Sequence, residues 1–130
     1  YPFGIAKLGG EVVVRDPLMV DGEKLVCVGE VAAGSFVHIL HGNRDTLVAA
    51  AGEAREAAER VFPAVGKPRL EIFVDCISRV LFLENEFASE LQTARVADLP
   101  LVGMLSIGEI ANSGDDYLEF YNKTSVVALV

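Results

Sequence analysis

The 130-residue chain has no tryptophan, two cysteines, two histidines and only 8% aromatic residues. Cys27 and Cys76 are 49 residues apart and make no Cys-x-x-Cys pair, so neither a disulfide framework nor a zinc site is built from them. A reducing, intracellular setting is expected instead. Eleven Lys and Arg against 19 Asp and Glu give a formal charge of −8, too little clustered positive charge to track a nucleic-acid backbone or an anionic membrane surface. No apolar run approaches the roughly 18 residues that a membrane-spanning helix needs. Glycine-rich phosphate motifs are also lacking, since neither Gly4 nor Gly9-Gly10 has the required spacing. At 52% hydrophobic residues the chain is rich enough to fold, and small molecules or proteins are the partners that composition leaves open. It begins at Tyr1, with no signal segment, and closes on a strand-like run, Ser125–Val130, so both ends read as cut from something longer.

The pattern changes period along the chain. Glu11–Arg15 is a β-branched run that Asp16-Pro17 interrupts, with resumption over Leu18–Val20. Asp21-Gly22 predicts a tight type I′ hairpin turn into a second strand at Lys24–Val28, and a third follows at Ser35–Leu40. From Asn43, Leu47, Ala50, Ala54, Ala58 and Val61 recur every three or four residues and predict an amphipathic helix that Phe62-Pro63 ends. A favourable i,i+4 pair is expected between Glu56 and Arg60. Leu70–Val74 is a fourth strand, with a strand-to-helix junction at Asp75–Arg79 and an N-cap at Asp75 or Cys76. The second helical phase runs through Val80, Leu83, Phe87, Leu91 and Ala94, with a break near Glu84-Asn85. Leu101–Ile107 is a fifth strand with Gly108-Glu109-Ile110 at its end. Asn112–Asp116 is a polar turn, and Tyr117–Tyr121 and Ser125–Val130 complete the set. The expected class is α+β: one curved, mostly antiparallel or mixed sheet with two main helices on one face, in the order βββ-α-β-α-βββ.

The Cys76 junction offers the most chemistry. The first turn of a helix presents unpaired N–H groups and a positive dipole end, and Arg79 adds a fork suited to a carboxylate. Together they form an anion-binding corner that would also lower the pKa of the Cys76 thiol. The ordinary alternative is a small buried cysteine and an arginine bonded to a nearby acid. Glu109 stands among apolar residues at a strand end, where burial demands a partner, either Arg79 or a ligand cation. Glu84, Glu86 and Glu90 read as a solvated helix face. Asn122-Lys123-Thr124 fits a glycosylation pattern, but a turn accounts for it equally. His38 and His41 point to opposite faces of a strand and are not expected to share a metal.

These pieces, in order, resemble one family. Leu70-Glu-Ile-Phe-Val-Asp-Cys-Ile-Ser-Arg79, a helix with Glu90, Pro100-Leu-Val-Gly103, Ser106-Ile-Gly-Glu-Ile110 and Tyr121-Asn-Lys-Thr124 are similar to the C-terminal domain of FIST (F-box and intracellular signal transduction) proteins. Tyr1-Pro2 at the opening and Gly34 before the third strand also suit it. The resemblance implies a non-enzymatic, cofactor-free, cytoplasmic sensory domain spanning residues 1–130, with amino acids as the ligand class. It also implies an N-terminal FIST half and a signalling output domain elsewhere in the full chain, as in bacterial signalling proteins.

Joined to the residue chemistry, it gives a candidate ligand site of Cys76, Arg79, Glu109, Asn122 and Thr124. Arg79 and the helix start would take a carboxylate, Glu109 an ammonium, and Asn122 and Thr124 neutral hydrogen bonds. Two other classes compete. An enzyme could use Cys76 as nucleophile, although no base is evident beside it. An interaction module could bury an apolar surface against the other half or a second copy as a homodimer.

Overall fold

Among the described residues, three sheets rather than one curved sheet take up the strands of this α+β domain, and most pairings are antiparallel. The computed structural model describes residues 1–7, 12–112 and 118–130. Gly9-Gly10, the first residue of the run expected from Glu11, residues 113–116 of the expected turn and Tyr117 lie outside the described residues.

The first sheet has the order β3-β2-β1-β4 and comprises β1 (Phe3–Ala6), β2 (Val12–Asp21), β3 (Lys24–Val28) and β4 (Val37–Ile39). β1 is the strand that pattern does not reveal: four residues including Gly4 are too few to show a two-residue period. Pro17 does not end β2. The register against β3 shifts between Pro17 and Met19, and this bulge carries the strand past the residue that has no N–H to give. Asp21 pairs with Lys24 across the turn, and the positive φ of 59° falls on Gly22 alone. A type I′ turn would need it at Glu23 as well, so the hairpin forms by a different turn.

Helix α1 (Arg44–Val61) begins at a reciprocal cap in which the Asn43 side chain accepts from the Thr46 N–H and the Thr46 hydroxyl accepts from the Asn43 N–H. Ala51 and Gly52 are its buried stripe, with Leu47, Ala54 and Ala58 half-buried, whereas Ala50 and Val61 are exposed. Its i,i+4 ion pair joins Arg55 to Glu59, and Glu56 pairs with Arg55 instead of Arg60. The second helical region is broken where expected. Helix α2 (Ile77–Leu83) passes through a 3-10 turn at Glu84–Glu86, with Glu84 at φ 53°, into α3 (Phe87–Ala94).

The second sheet is the spine of the domain. β5 (Glu71–Cys76) lies between β6 (Leu101–Ser106), parallel to it, and β9 (Ser125–Leu129), antiparallel. Small residues let α1 and α3 approach one face, where Ala51, Phe73 and Ala94 form the core with Leu91, Leu101 and Val127 packed around them. The expected run 101–107 is cut short at Ser106. After a bend at Ile107-Gly108, β7 (Glu109–Ala111) pairs with β8 (Glu119–Tyr121) as a separate ribbon. Gly103 is fixed by contact: a Cβ there would stand 2.0 Å from the Phe73 carbonyl oxygen of β5. Gly103→Ala is therefore expected to destabilise the domain by about 2 kcal/mol, measured by urea unfolding, because the backbone pair must part to admit a methyl group.

Candidate functional site

Glu71, Phe73 and Asp75 alternate along β5, so the face that buries Phe73 against the helices also buries both acids. Asp75 is fully buried at the carboxyl end of the strand, and Arg79 follows one helical turn later. The Arg79 Nε lies 3.0 Å from Asp75 Oδ1, and its Nη2 ion-pairs with Glu90 Oε1. The same guanidinium donates to the Leu47 carbonyl oxygen at 2.8 Å and to the Lys123 carbonyl oxygen at 3.4 Å. Glu90, read from sequence as solvated, is wholly buried. Its spacing from Phe87 and Ala94 places it on the inner stripe of α3, which was the signal that could have identified it.

One guanidinium thus faces two buried carboxylates. Ser125 donates to Asp75 Oδ1 at 3.0 Å, while Asp75 Oδ2 and Glu90 Oε2 have no hydrogen-bond partner among the described residues. Burial first, and then the negative charge of Glu90, pushes the Asp75 carboxyl up to about 7, against the pull of Arg79 and Ser125. A proton held on Asp75 near neutrality lessens the negative charge that Arg79 has to balance.

The five sequence-predicted residues do come together. Cys76 is the N-cap of α2 without a side-chain cap bond, and its Sγ is 3.2 Å from Ser78 Oγ. Its N–H donates to the Thr124 carbonyl oxygen at 3.2 Å. Glu109 accepts from Ser106 Oγ at 2.6 Å and from the Thr124 N–H at 3.4 Å. Burial raises its pKa, opposed by these bonds and by Arg79. Of the two partners left open for Glu109, Arg79 is engaged instead by Asp75 and Glu90, both of which lie on the elements flanking it. Thr124 Oγ1 donates to the Asn122 carbonyl oxygen. Asn122 is fully buried: its Oδ1 accepts from the Asp16 N–H, its Nδ2 donates to the Ile107 carbonyl oxygen, and its N–H donates to Val14. It stitches β2 to the bend after β6, a position that leaves no room for a sugar.

A cleft of about 500 Å³ opens beside this cluster, where the first sheet meets the start of α1 and the end of α2. Tyr1, Val14, Leu40, His41, Leu47, Phe82 and Lys123 line it together with Pro2 and Gly42. Its lining includes none of the five predicted residues. Two of its lining residues, Leu47 and Lys123, nevertheless supply the carbonyls that Arg79 holds. Lys123 lines the cleft and its Nζ is 3.1 Å from Asp16 Oδ2, an acid outside the lining, and Lys123 adopts a left-handed φ of 55°. His41 stacks on Tyr1 with ring centroids 5.4 Å apart. Among the described residues no group of three potential metal ligands occurs, and no helix is long and apolar enough to cross a membrane.

Neither a curated protein nor a solved structure matches the chain. A family model for the FIST C domain matches residues 1–112, a range that takes in the β5–α2 junction, Glu90 and Glu109 but stops before Asn122-Lys123-Thr124. The FIST C domain is associated with signal transduction, and this chain belongs to that family.

Proposed function

We propose that the domain is a small-molecule sensor in a cytoplasmic signalling chain, and that its ligand is an amino acid or similar zwitterion with an apolar side chain. The observation that carries this reading is the cleft, which combines an apolar wall from Val14, Leu40, Leu47 and Phe82 with the ammonium of Lys123, itself paired to Asp16 outside the lining. A zwitterion needs opposite charges a few Å apart and an apolar body needs a dry wall, and a cleft of this volume accommodates both. Lys123 takes the carboxylate, and Asp16, its ion-pair partner beyond the lining, is the acid nearest to hand for the ammonium. The strained backbone at Lys123 supports a role for its side chain there, because glycine would relieve about 1 kcal/mol at such a φ.

In this reading Cys76, Arg79, Glu109, Asn122 and Thr124 form the wall behind the ligand. Arg79 positions the backbone of Leu47 and Lys123, so a ligand that tightens the cleft also loads the buried acids. Signalling requires the ligand to prefer one of two arrangements of that wall. The surroundings of Cys76 favour binding over catalysis, since its thiol is buried and takes no part in lining the cleft.

A thermal-shift screen of the free amino acids tests the proposal. A cognate ligand at a hundredfold excess over its Kd raises Tm by about 10 °C. Lys123→Gln removes the response without lowering the ligand-free Tm. A flat response from every amino acid, or a shift that survives Lys123→Gln, overturns it.

A further inference from the structure

The outer edge of β6 is built unlike an edge that a protein leaves in water. β6 pairs with β5 alone among the described residues. The Glu71 N–H donates to the Pro100 carbonyl oxygen, and from there the parallel ladder turns the N–H and C=O groups of Leu101, Gly103 and Leu105 away from β5. Between Leu101 and Ser106 there is no charge, no proline and no bulge, the three devices that normally blunt an edge. Val102 is 51% exposed and Met104 64%. β4, the edge of the first sheet, is by contrast only three residues long, and the β3 edge opens on Lys24.

Beside the β6 edge, between it and α3, runs a groove of about 460 Å³ lined by Ala88, Leu91, Gln92, Arg95 and Leu101. Arg95 is exposed, and none of the ion pairs among the described residues includes it. A strand added to β6 would satisfy the outward main-chain groups and drop alternate side chains into this groove, with one of them over the guanidinium.

We infer that this edge is a β-augmentation site whose partner is an extended, apolar protein segment carrying an acidic residue at one groove-facing position. Main-chain hydrogen bonds give such a site its affinity, and the groove with Arg95 gives it register. The apolar face shown by Val102 and Met104 continues beneath the added strand, so the segment's other alternate residues are apolar as well. The site lies apart from the ligand cleft and stands or falls independently of it.

The probe is a short end-capped peptide alternating valine with threonine around one central glutamate, titrated into the 15N-labelled chain. The expected result is saturable binding with slowed hydrogen exchange at the amides of Leu101, Gly103 and Leu105. The same peptide N-methylated at alternate positions does not bind. Arg95→Glu weakens the glutamate peptide about two- to fivefold, and a lysine peptide recovers that loss. Binding that tolerates N-methylation, or that leaves those three amides unprotected, overturns the inference. So does a concentration-dependent dimer that protects the same amides without peptide, because a second copy would then be the occupant.

Discussion

Arg79→Met is expected to lower the unfolding free energy by about 3–5 kcal/mol at pH 7, read by urea titration, and Tm by about 10–20 °C. The size follows from what the side chain leaves behind. Asp75 and Glu90 are both wholly buried, and Arg79 is the cation that each contacts. Its loss also strips donors from the Leu47 and Lys123 carbonyls. Desolvated acids with no counter-charge cost far more than the net worth of the ion pairs. Two controls separate this account from simple loss of packing. Arg79→Lys retains the charge but not the planar fork, and is expected to recover only part of the stability. The combined variant Arg79→Met, Asp75→Asn, Glu90→Gln removes every charge at once, and is expected to be more stable than Arg79→Met alone. A loss below about 1 kcal/mol for Arg79→Met would place this cluster among weak surface pairs and contradict its burial.

The strand and helix that carry this cluster were legible because their patterns are long. Five consecutive residues from Leu70 to Val74 and the three-and-four spacing from Val80 to Ala94 specify a central strand and a broken helix, and Phe62-Pro63 specifies a stop. Short elements were not. β1 is four residues and β7 three, and both owe their existence to partners distant in sequence, Val12–Arg15 and Glu119–Tyr121 respectively. The division into three sheets is likewise set by the bend at Ile107-Gly108 and by Asn122 bridging to β2, features that have no local period. At the site, Cys76, Arg79, Glu109, Asn122 and Thr124 were legible as residue types in family order, whereas their packing behind the cleft and outside its lining was not. The identity of the arginine's partners was not, because charge read along a helix suggests solvent unless its phase is compared with the apolar stripe. Glu90 shares that stripe with Phe87 and Ala94. The cleft was invisible for another reason: Tyr1, Leu40, His41 and Phe82 become neighbours only when the first sheet docks on α1 and α2.

The buried acids also fix the pH dependence, and its direction is opposite to ordinary acid denaturation. Asp75 titrates at about 7 in the folded domain and at the usual value, 3.8, when unfolded. Between those values the folded state holds more protons than the unfolded state, so stability falls as pH rises through that interval. The full excursion is on the order of 4 kcal/mol, at about 1.4 kcal/mol per pH unit. Glu109, also raised by burial, acts in the same direction. Asp75→Asn isolates the effect. Asparagine can still accept from Ser125 and can donate to Glu90, and it leaves Arg79 and Glu90 as a neutral pair. Urea midpoints taken from pH 4.5 to pH 8 should therefore start close together for the two proteins and diverge as pH rises, with the asparagine variant the more stable at pH 8. The acids that do not contact Asp75 are common to both proteins and cancel in the difference. Parallel curves would mean that Asp75 ionises freely in the fold, and that the Arg79 charge outweighs both burial and Glu90. Divergence in the expected sense means that the wall behind the cleft is poised near neutral pH, where a small shift in the Leu47 or Lys123 backbone is enough to change its proton occupancy.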